Sequence, residues 1–394
     1  MIPYGKHHID ADDIKSVIKV LKSDNLTQGP LISAFENKIS KYVGAKYSVV
    51  VTSCTAGLHL ASIVSKLRKG KKLLTSPITF VATANSSLYC GAETIFADID
   101  SSTINISTER IKEAISKNEI QAIAPVHFGG LPCDMKKIRE IANKVNAVIY
   151  EDAAHAFGAS FQDGSKVGSC KYSDMTVFSF HPVKSIAMGE GGVVTTNNKK
   201  IYKQLLRLRN HGIERNKDNF IVKKEGFSKK IKNPWYYEMQ QLGYNYRLND
   251  IQASLGISQL SKINKFINKR KKIFDEYRDK LKNFKKFVKI NNYNNKINAF
   301  HLIILNINFD SLKSTKDEMF RFLNKHNIFP QYHYIPLYKF SFHKKKYFNK
   351  FEGTEEYYKK SISLPIYYDL KKNDLAYIIK VIKKFFRFSK QFNF

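Results

Sequence analysis

Between residues 47 and 196, short β-branched runs alternate with stretches of helical pattern, and this alternation restricts the fold more than any other feature. The runs are "YSVVV" (47–51), "KLLTS" (72–76), "TIFADI" (94–99), "QAIAPVHF" (121–128), "AVIYED" (147–152), "TVFSF" (176–180) and "VVTT" (193–196). Segments such as "CTAGLHLASIVSKL" and "DMKKIREIANKV" separate them and carry the helical period. Strands alternating with helices build a mostly parallel sheet covered on both faces, an α/β architecture. The link from "FSF" to "GGVVTT" is too short for a parallel crossover. One antiparallel strand is therefore expected in a seven-stranded sheet.

Outside this region the texture differs. "DADDIKSVIKVLK" (10–22) puts Ile14, Val17, Ile18 and Leu21 on one helical face behind acidic capping residues. After residue 250 a Lys-rich amphipathic stretch leads into "AFHLIILNI" (299–307), a helix and "QYHYIPLY" (331–338), which read as a smaller α+β domain. The division expected is an amino-terminal arm (1–25), a large domain (26–250) and a carboxyl-terminal small domain (251–394). Residues 214–235 read as a mobile surface excursion.

The chain carries 66 Lys+Arg against 34 Asp+Glu, a formal net charge of +32. Such a balance suits a polyanion-binding module, and that is one reading of the chain. Lysine is spread along the whole sequence, however, as in "KKEGFSKKIKN", which reads as a solvated basic surface rather than a nucleic-acid stripe. Cys54, Cys90, Cys133 and Cys170 are scattered with no CxxC pair, so reduced thiols and no metal site are expected. The start "MIPYGKHHIDADDIKSV" lacks a signal-peptide apolar region, and no apolar run approaches the ~20 residues that span a bilayer. A cytoplasmic protein without a membrane partner is expected.

Ligands of open α/β sheets bind at the carboxyl ends of the strands, and three strand ends here carry chemistry. In "VVVTSCTAGLHLA" a helix starting near Thr55 would offer the backbone of Cys54, Thr55 and Ala56 and a positive dipole end to a phosphate. The plainer reading is a helix cap by Ser53 or Thr55. In "VIYEDAAHAFGA" Asp152 ends an apolar strand, with His155 three positions on. A carboxylate there is costly without a partner, unless it too is only a cap. In "FSFHPVKSIAMGEGG" Ser179 and Lys184 occupy a corner before a Gly-rich return. Lys184 alone would be one more solvated lysine. Together, a phosphate cradle, a strand-end carboxylate and a lysine 32 residues later are the parts that bind pyridoxal 5'-phosphate. The lysine holds the aldehyde, the aspartate keeps the ring nitrogen protonated, and the helix end holds the phosphate.

At these residues the chain resembles the DegT/DnrJ/EryC1/StrS family of sugar-nucleotide aminotransferases. The resemblance runs through "IPYGKHHID", "NLTQGP", "TSCTAGLHLA", "SPITFVATAN", "EDAAHAFGA", "FSFHPVKSIAMGEGG", "RNHGI", "GYNYRLNDIQASLGISQL", "QYHYIPLY" and "SISLPIY", essentially the whole chain. "FSFHPVK", "VHFGGLPCDM" and "YHYIPLY" are most similar to the family's pseudaminic-acid pathway branch. The resemblance implies the PLP-dependent fold type I (aspartate-aminotransferase-like), with Lys184 as the cofactor-bearing lysine and Asp152 as the partner of its ring nitrogen. It implies His155 and Phe80 flanking the ring, and Thr55, Ser179 and the Cys54–Ala56 backbone at the phosphate. Asn245, in "GYNYR", would reach the cofactor phosphate of a second subunit, giving a homodimer with composite sites. Tyr4, the turn Asp24, Asn25, Leu26, Thr27 and the segment Tyr332, His333, Tyr334, Ile335 would line the sugar-nucleotide pocket. Cys54 departs from the small Ala or Gly common there.

The activity implied is transfer of the amino group of L-glutamate to the 4-keto carbon of a UDP-linked 6-deoxy-N-acetylhexosamine. Alternatives within the family are a perosamine- or legionaminic-type transaminase and a sugar dehydratase. The dehydratase class carries histidine in place of the lysine, so Lys184 argues against it.

Overall fold

The computed structural model describes residues 1–290, 297–344 and 351–388. The chain opens with a two-residue strand β1 (Ile2–Pro3) and helix α1 (Ala11–Leu21), which Asp10 caps by accepting from the Asp12 and Asp13 amides. The apolar face read from the sequence of α1 does not face the core. Ile14, Ile18 and Leu21 are 53%, 45% and 57% exposed. The inward face instead carries Asp13, which accepts from Gln259 Nε2 at 2.6 Å and pairs with Lys262 at 2.8 Å, and Ser16, which donates to the Ser254 carbonyl. A buried carboxylate that needs partners has set the helix rotation.

Helix α2 (Pro30–Val43) begins on proline, whose missing amide costs nothing at a first helical position, and stops at Gly44 in the left-handed region. The alternating region follows as β2 (Tyr47–Val51), α3 (Cys54–Val64), β3 (Lys72–Thr75), α4 (Val81–Leu88), β4 (Glu93–Phe96), α5 (Thr108–Lys117), β5 (Ala122–Ala124), α6 (Met135–Asn143), β6 (Val148–Asp152), β7 (Met175–Ser179) and β8 (Gly192–Thr196). The seven strands form one sheet in the order β2-β8-β7-β6-β5-β3-β4. Every pairing is parallel except those of β8, which runs antiparallel to both β2 and β7. The mostly parallel seven-stranded sheet with one antiparallel strand is the one expected. β5 ends before "PVHF" because Pro125 has no amide to donate to the ladder.

Alternate residues of each strand enter different cores. Val50, Leu74, Ile123, Ile149 and Phe178 pack under α2 and α6, while Val49, Val51, Leu73, Ala122 and Val177 pack under α3 and helix α7 (Lys199–Arg209). The excursion after α7 is folded into short elements: β9 (Ile213–Glu214), α8 (Lys223–Gly226), a hairpin of β10 (Phe227–Ser228) and β11 (Ile231–Lys232), and β12 (Glu238–Met239). Two helices follow, α9 (Asp250–Ser261) and α10 (Ile263–Leu281).

The small domain holds an antiparallel sheet of β13 (Val288–Ile290), β14 (Ile303–Ile307) and β16 (Ser361–Leu364), in the order β13-β14-β16. Its helices include α12 (Lys316–Lys325) and α15 (Lys372–Phe388), preceded by the single turn α11 (Phe309–Leu312) and by α13 (Ser341–Lys344) and α14 (Glu352–Lys360). Strand β15 (Ile328–Phe329) pairs in parallel with β1, so the amino terminus is tied to this domain. Leu260, Ile263 and Phe266 belong to the large core, whereas Ile273, Phe274 and Tyr277 belong to the small one. We therefore place the division within α10 rather than at residue 251. Among the described residues no helix is long and apolar enough to cross a membrane.

Helix α3 lies so close to the sheet that a Cβ on Gly57 would come 2.7 Å from Val177 Cγ1 and 3.2 Å from Val194 Cγ2. Gly57→Val should therefore lower stability by about 1–3 kcal/mol through overpacking, read from the urea midpoint. An unchanged midpoint would mean the helix can lift without cost.

Candidate active site

The carboxyl ends of β2, β3, β6 and β7 open on one cavity of about 620 Å³, closed on its far side by the small domain. Of the residues singled out on sequence, Tyr4, Cys54, Thr55, Phe80, Asp152, His155, Ser179, Lys184, Tyr332, His333, Tyr334 and Ile335 line it.

Ser53 caps α3, its Oγ accepting from the Ala56 amide at 3.1 Å. Ala56 itself does not line the cavity, and its amide is occupied by the Ser53 hydroxyl. Strand β8 begins against this turn. A Cβ on Gly192 would lie 2.6 Å from the Ser53 carbonyl carbon and oxygen and 2.7 Å from the Cys54 nitrogen, so only glycine fits.

Asp152 ends β6 and is 5% exposed. One carboxylate oxygen accepts from Thr83 Oγ1 at 2.6 Å, and Thr83 in turn meets Thr79 Oγ1 at 2.7 Å. The other oxygen accepts from the Ala154 amide at 3.1 Å. Each oxygen thus has one donor within the protein and capacity for another. Among the described residues no basic side chain forms an ion pair with it. Thr83 was not singled out on sequence, although its i,i+4 spacing from Thr79 puts the two hydroxyls on one face.

His155 accepts the Gly129 amide on Nδ1 at 3.3 Å, which leaves the proton on Nε2, 3.1 Å from the Tyr334 hydroxyl. Burial, helped by the charge of Lys184, pushes its pKa well below the usual range, so the ring is a neutral donor. Phe80 caps α4 at the cavity mouth, its ring centroid 6.0 Å from that of Tyr334. Tyr4 follows β1 and packs against His333, with ring centroids 5.2 Å apart.

Lys184 stands half-buried in the corner after β7, its amide bonded to the His181 carbonyl at 2.9 Å. Burial pushes its amine from 10.5 down to about 8, against the opposing influence of Cys54 and Asp152. At that value a useful fraction is neutral near physiological pH.

Asp24, Asn25, Leu26, Thr27 and Asn245 do not line this cavity. Thr27 bridges to Asn249, the Leu26 carbonyl accepts the Asp250 amide at 2.9 Å, and Asn245 bridges to Asn210. Sequence reasoning also passed over Gln331 and Phe340, which reach the cavity from the small domain, and over Glu190 and His181 beside the lysine. Nothing local in the sequence signals the first two.

A model described as the DegT/DnrJ/EryC1/StrS aminotransferase family matches residues 7–383. The chain belongs to this family. It is similar to the UDP-4-amino-4,6-dideoxy-N-acetyl-beta-L-altrosamine transaminase of Campylobacter jejuni, with 36% identity over 383 residues and 96% of each chain covered. Among solved structures it resembles Helicobacter pylori PseC, an aminotransferase involved in the biosynthesis of pseudoaminic acid, with a TM-score of 0.88, 27% identity and 98% and 99% of the two chains covered. A Streptococcus pneumoniae structure in its PLP form is also similar, with a TM-score of 0.86, 25% identity and 98% of each chain covered. The protein is a PLP-dependent sugar-nucleotide aminotransferase of the DegT family.

The Thr83 bond makes a further expectation. Thr83→Val removes a donor from a buried carboxylate and should cost about 1–3 kcal/mol of stability, measured by urea denaturation. Retention of full stability would show that Asp152 finds another donor in the cavity.

Proposed function

We propose that the cavity binds pyridoxal phosphate through Lys184 and Asp152 and transfers the amino group of L-glutamate to C4 of a UDP-linked 4-keto-6-deoxy-N-acetylhexosamine, in pseudaminic acid biosynthesis. The observation that carries this reading is Asp152: a buried carboxylate facing a cavity, with one donor per oxygen and, among the described residues, no ion pair. It fits a protonated ring nitrogen, which would supply the missing donor and charge. The Cys54 and Thr55 amides with the Thr55 and Ser179 hydroxyls fit a phosphate at the start of α3. Phe80 and His155 suit the two sides of the ring plane.

When bound, the cofactor supplies an aldehyde that captures amines and a ring that withdraws electrons from the amino acid's α-carbon. The work left to the chain is positioning and proton movement. Lys184, lowered to about 8, can take the α-proton as a neutral amine and return it as an ammonium. Asp152 stabilises positive charge on the ring nitrogen, and Thr83 and Ala154 orient its carboxylate. Tyr4, Tyr332, His333, Tyr334 and Ile335 form the wall for the sugar nucleotide. The nucleotide's diphosphate suits the positive field of the chain.

The names of the Campylobacter and Helicobacter relatives support this choice of substrate. A second copy of the chain is proposed to complete the site, with Asn245 and the Asp24–Thr27 turn serving its cavity. Supporting this, both segments lie outside their own cavity, and exposed apolar side chains flank them: Ile14, Ile18, Leu21 and Leu26 on one, Trp235, Met239 and Leu242 on the other.

Three measurements check the reading. Borohydride reduction and peptide mapping should place the cofactor on Lys184; a label elsewhere refutes that assignment. Asp152→Asn should keep the fold and lower kcat by about 100-fold or more, since the amide cannot hold the ring proton. A kcat within a few-fold of wild type would reduce Asp152 to a cap. Turnover of a panel of UDP-4-keto sugars with glutamate then fixes the substrate, and faster amination of an epimer would replace the one named.

The dimer has its own test. Lys184→Ala and Asn245→Asp subunits, each nearly inactive, should on mixing recover about a quarter of wild-type activity, because about half the dimers are mixed and each has one intact site. No recovery despite verified exchange would remove Asn245 from a role in trans.

A further inference from the structure

Arg270 lies on α10 where the two cores meet and is 3% exposed. Its Nη1 donates to the carbonyls of Ile366 at 2.9 Å and His301 at 3.3 Å, and its Nη2 donates to that of Val183 at 3.4 Å. These acceptors belong to three separate segments: the chain after β16, the entry to β14, and the residue immediately before Lys184. Among the described residues Arg270 forms no ion pair. Burial lowers its pKa only to about 10, so it stays charged at neutral pH.

A buried cation held only by carbonyls is expensive, and a neutral amide could supply donors at lower cost. What an amide cannot supply is a charge that acts beyond its own contacts. One of its acceptors, the Val183 carbonyl, lies one residue from Lys184. Asp152 and Cys54 face the Lys184 amine and favour its charged form. His155, His181, His301 and His333 also lie near it, all with pKa values lowered chiefly by burial, and so add little charge of their own. Arg270 opposes Asp152 and Cys54 from behind.

We propose that Arg270 is a positioning residue for Lys184: its guanidinium fastens the lysine corner to the small domain and holds a fixed positive charge behind the amine. This rests on the reading of Lys184 as the reacting lysine. The planar fork matters as much as the charge, because it spans carbonyls from different segments at fixed angles. The same side chain therefore links the place of the amine to the docking of the domain that brings Tyr332–Ile335 to the cavity.

The test uses full-length protein loaded with pyridoxamine phosphate, which leaves the Lys184 amine free. Acetylation of Lys184 by a limiting amine-reactive reagent is followed against pH by peptide mass spectrometry. Arg270→Met should raise the midpoint of Lys184 labelling by about half a pH unit or more, because the opposing charge is gone. Arg270→Lys should keep the midpoint near wild type but lower kcat several-fold with little change in KM for the sugar nucleotide, because the charge stays and the fork is lost. A midpoint unmoved in Arg270→Met would overturn the proposal, whatever the loss of stability. If that variant does not fold, Arg270→Lys decides, and an unchanged kcat overturns it. The labelling reads the Lys184 amine whether or not that residue carries the cofactor, so failure here is distinct from failure of the borohydride mapping.

Discussion

Strand β6 ends in two consecutive carboxylates, Glu151 and Asp152, and a strand must send them to opposite faces of the sheet. Both are buried, so each must be answered locally. Glu151 is answered completely. His127 Nδ1 accepts the Cys133 amide, so its Nε2 carries the proton and reaches Glu151 at 2.6 Å, while Thr176 Oγ1 at 3.0 Å and the Ser173 hydroxyl supply the rest. Asp152 is answered only in part, by one hydroxyl and one amide, on the side where the cavity opens. The two neighbours have the same chemistry and different surroundings. One closes the core, and the other leaves room for a cationic donor. The position of the site at the middle of the sheet follows from that difference.

Much of this was legible in the sequence because the sheet writes itself locally. Alternation fixed the strands, the short "FSF" to "GGVVTT" link fixed the antiparallel β8, and strand ends pointed to Asp152, Thr55 and Lys184. The failures are long-range in origin. The apolar periodicity of α1 is real, yet its rotation is set by Asp13 meeting Lys262 and Gln259, some 250 residues away. Gln331 and Phe340 reach the cavity only because the small domain folds back over it, a consequence of tertiary packing that no local pattern records.

Charge in this molecule is organised by burial rather than by count. Most of the lysines that make up the net +32 are on the surface, where ion pairs such as Lys71–Glu119 and Arg321–Asp317 contribute little each. Around the cavity the arrangement is sparse and specific. Histidines 155, 301 and 333 are kept neutral by desolvation, so they act as donors, acceptors and packing surfaces. The charges that remain are those of Asp152, Glu190, Lys184 and Arg270. A site in which few groups are charged gives each of them a long reach.

The cavity has walls from two domains, and polar bonds fix how those walls meet. His155 of the large domain faces the Tyr334 hydroxyl of the small one, and the Leu337 amide donates to the Pro77 carbonyl at 3.0 Å. Asp98, at the end of the large sheet, receives the Gly353 and Thr354 amides at 2.8 and 2.9 Å. Arg270 draws Val183, His301 and Ile366 together from behind. Apolar contact alone would permit the domains to slide, because burial is non-directional. Hydrogen bonds weaken steeply off their axis, so this set defines a single docking angle. Lys184 and Asp152 belong to the large domain and Tyr334 to the small one, and their common cavity has a fixed shape only while that angle holds.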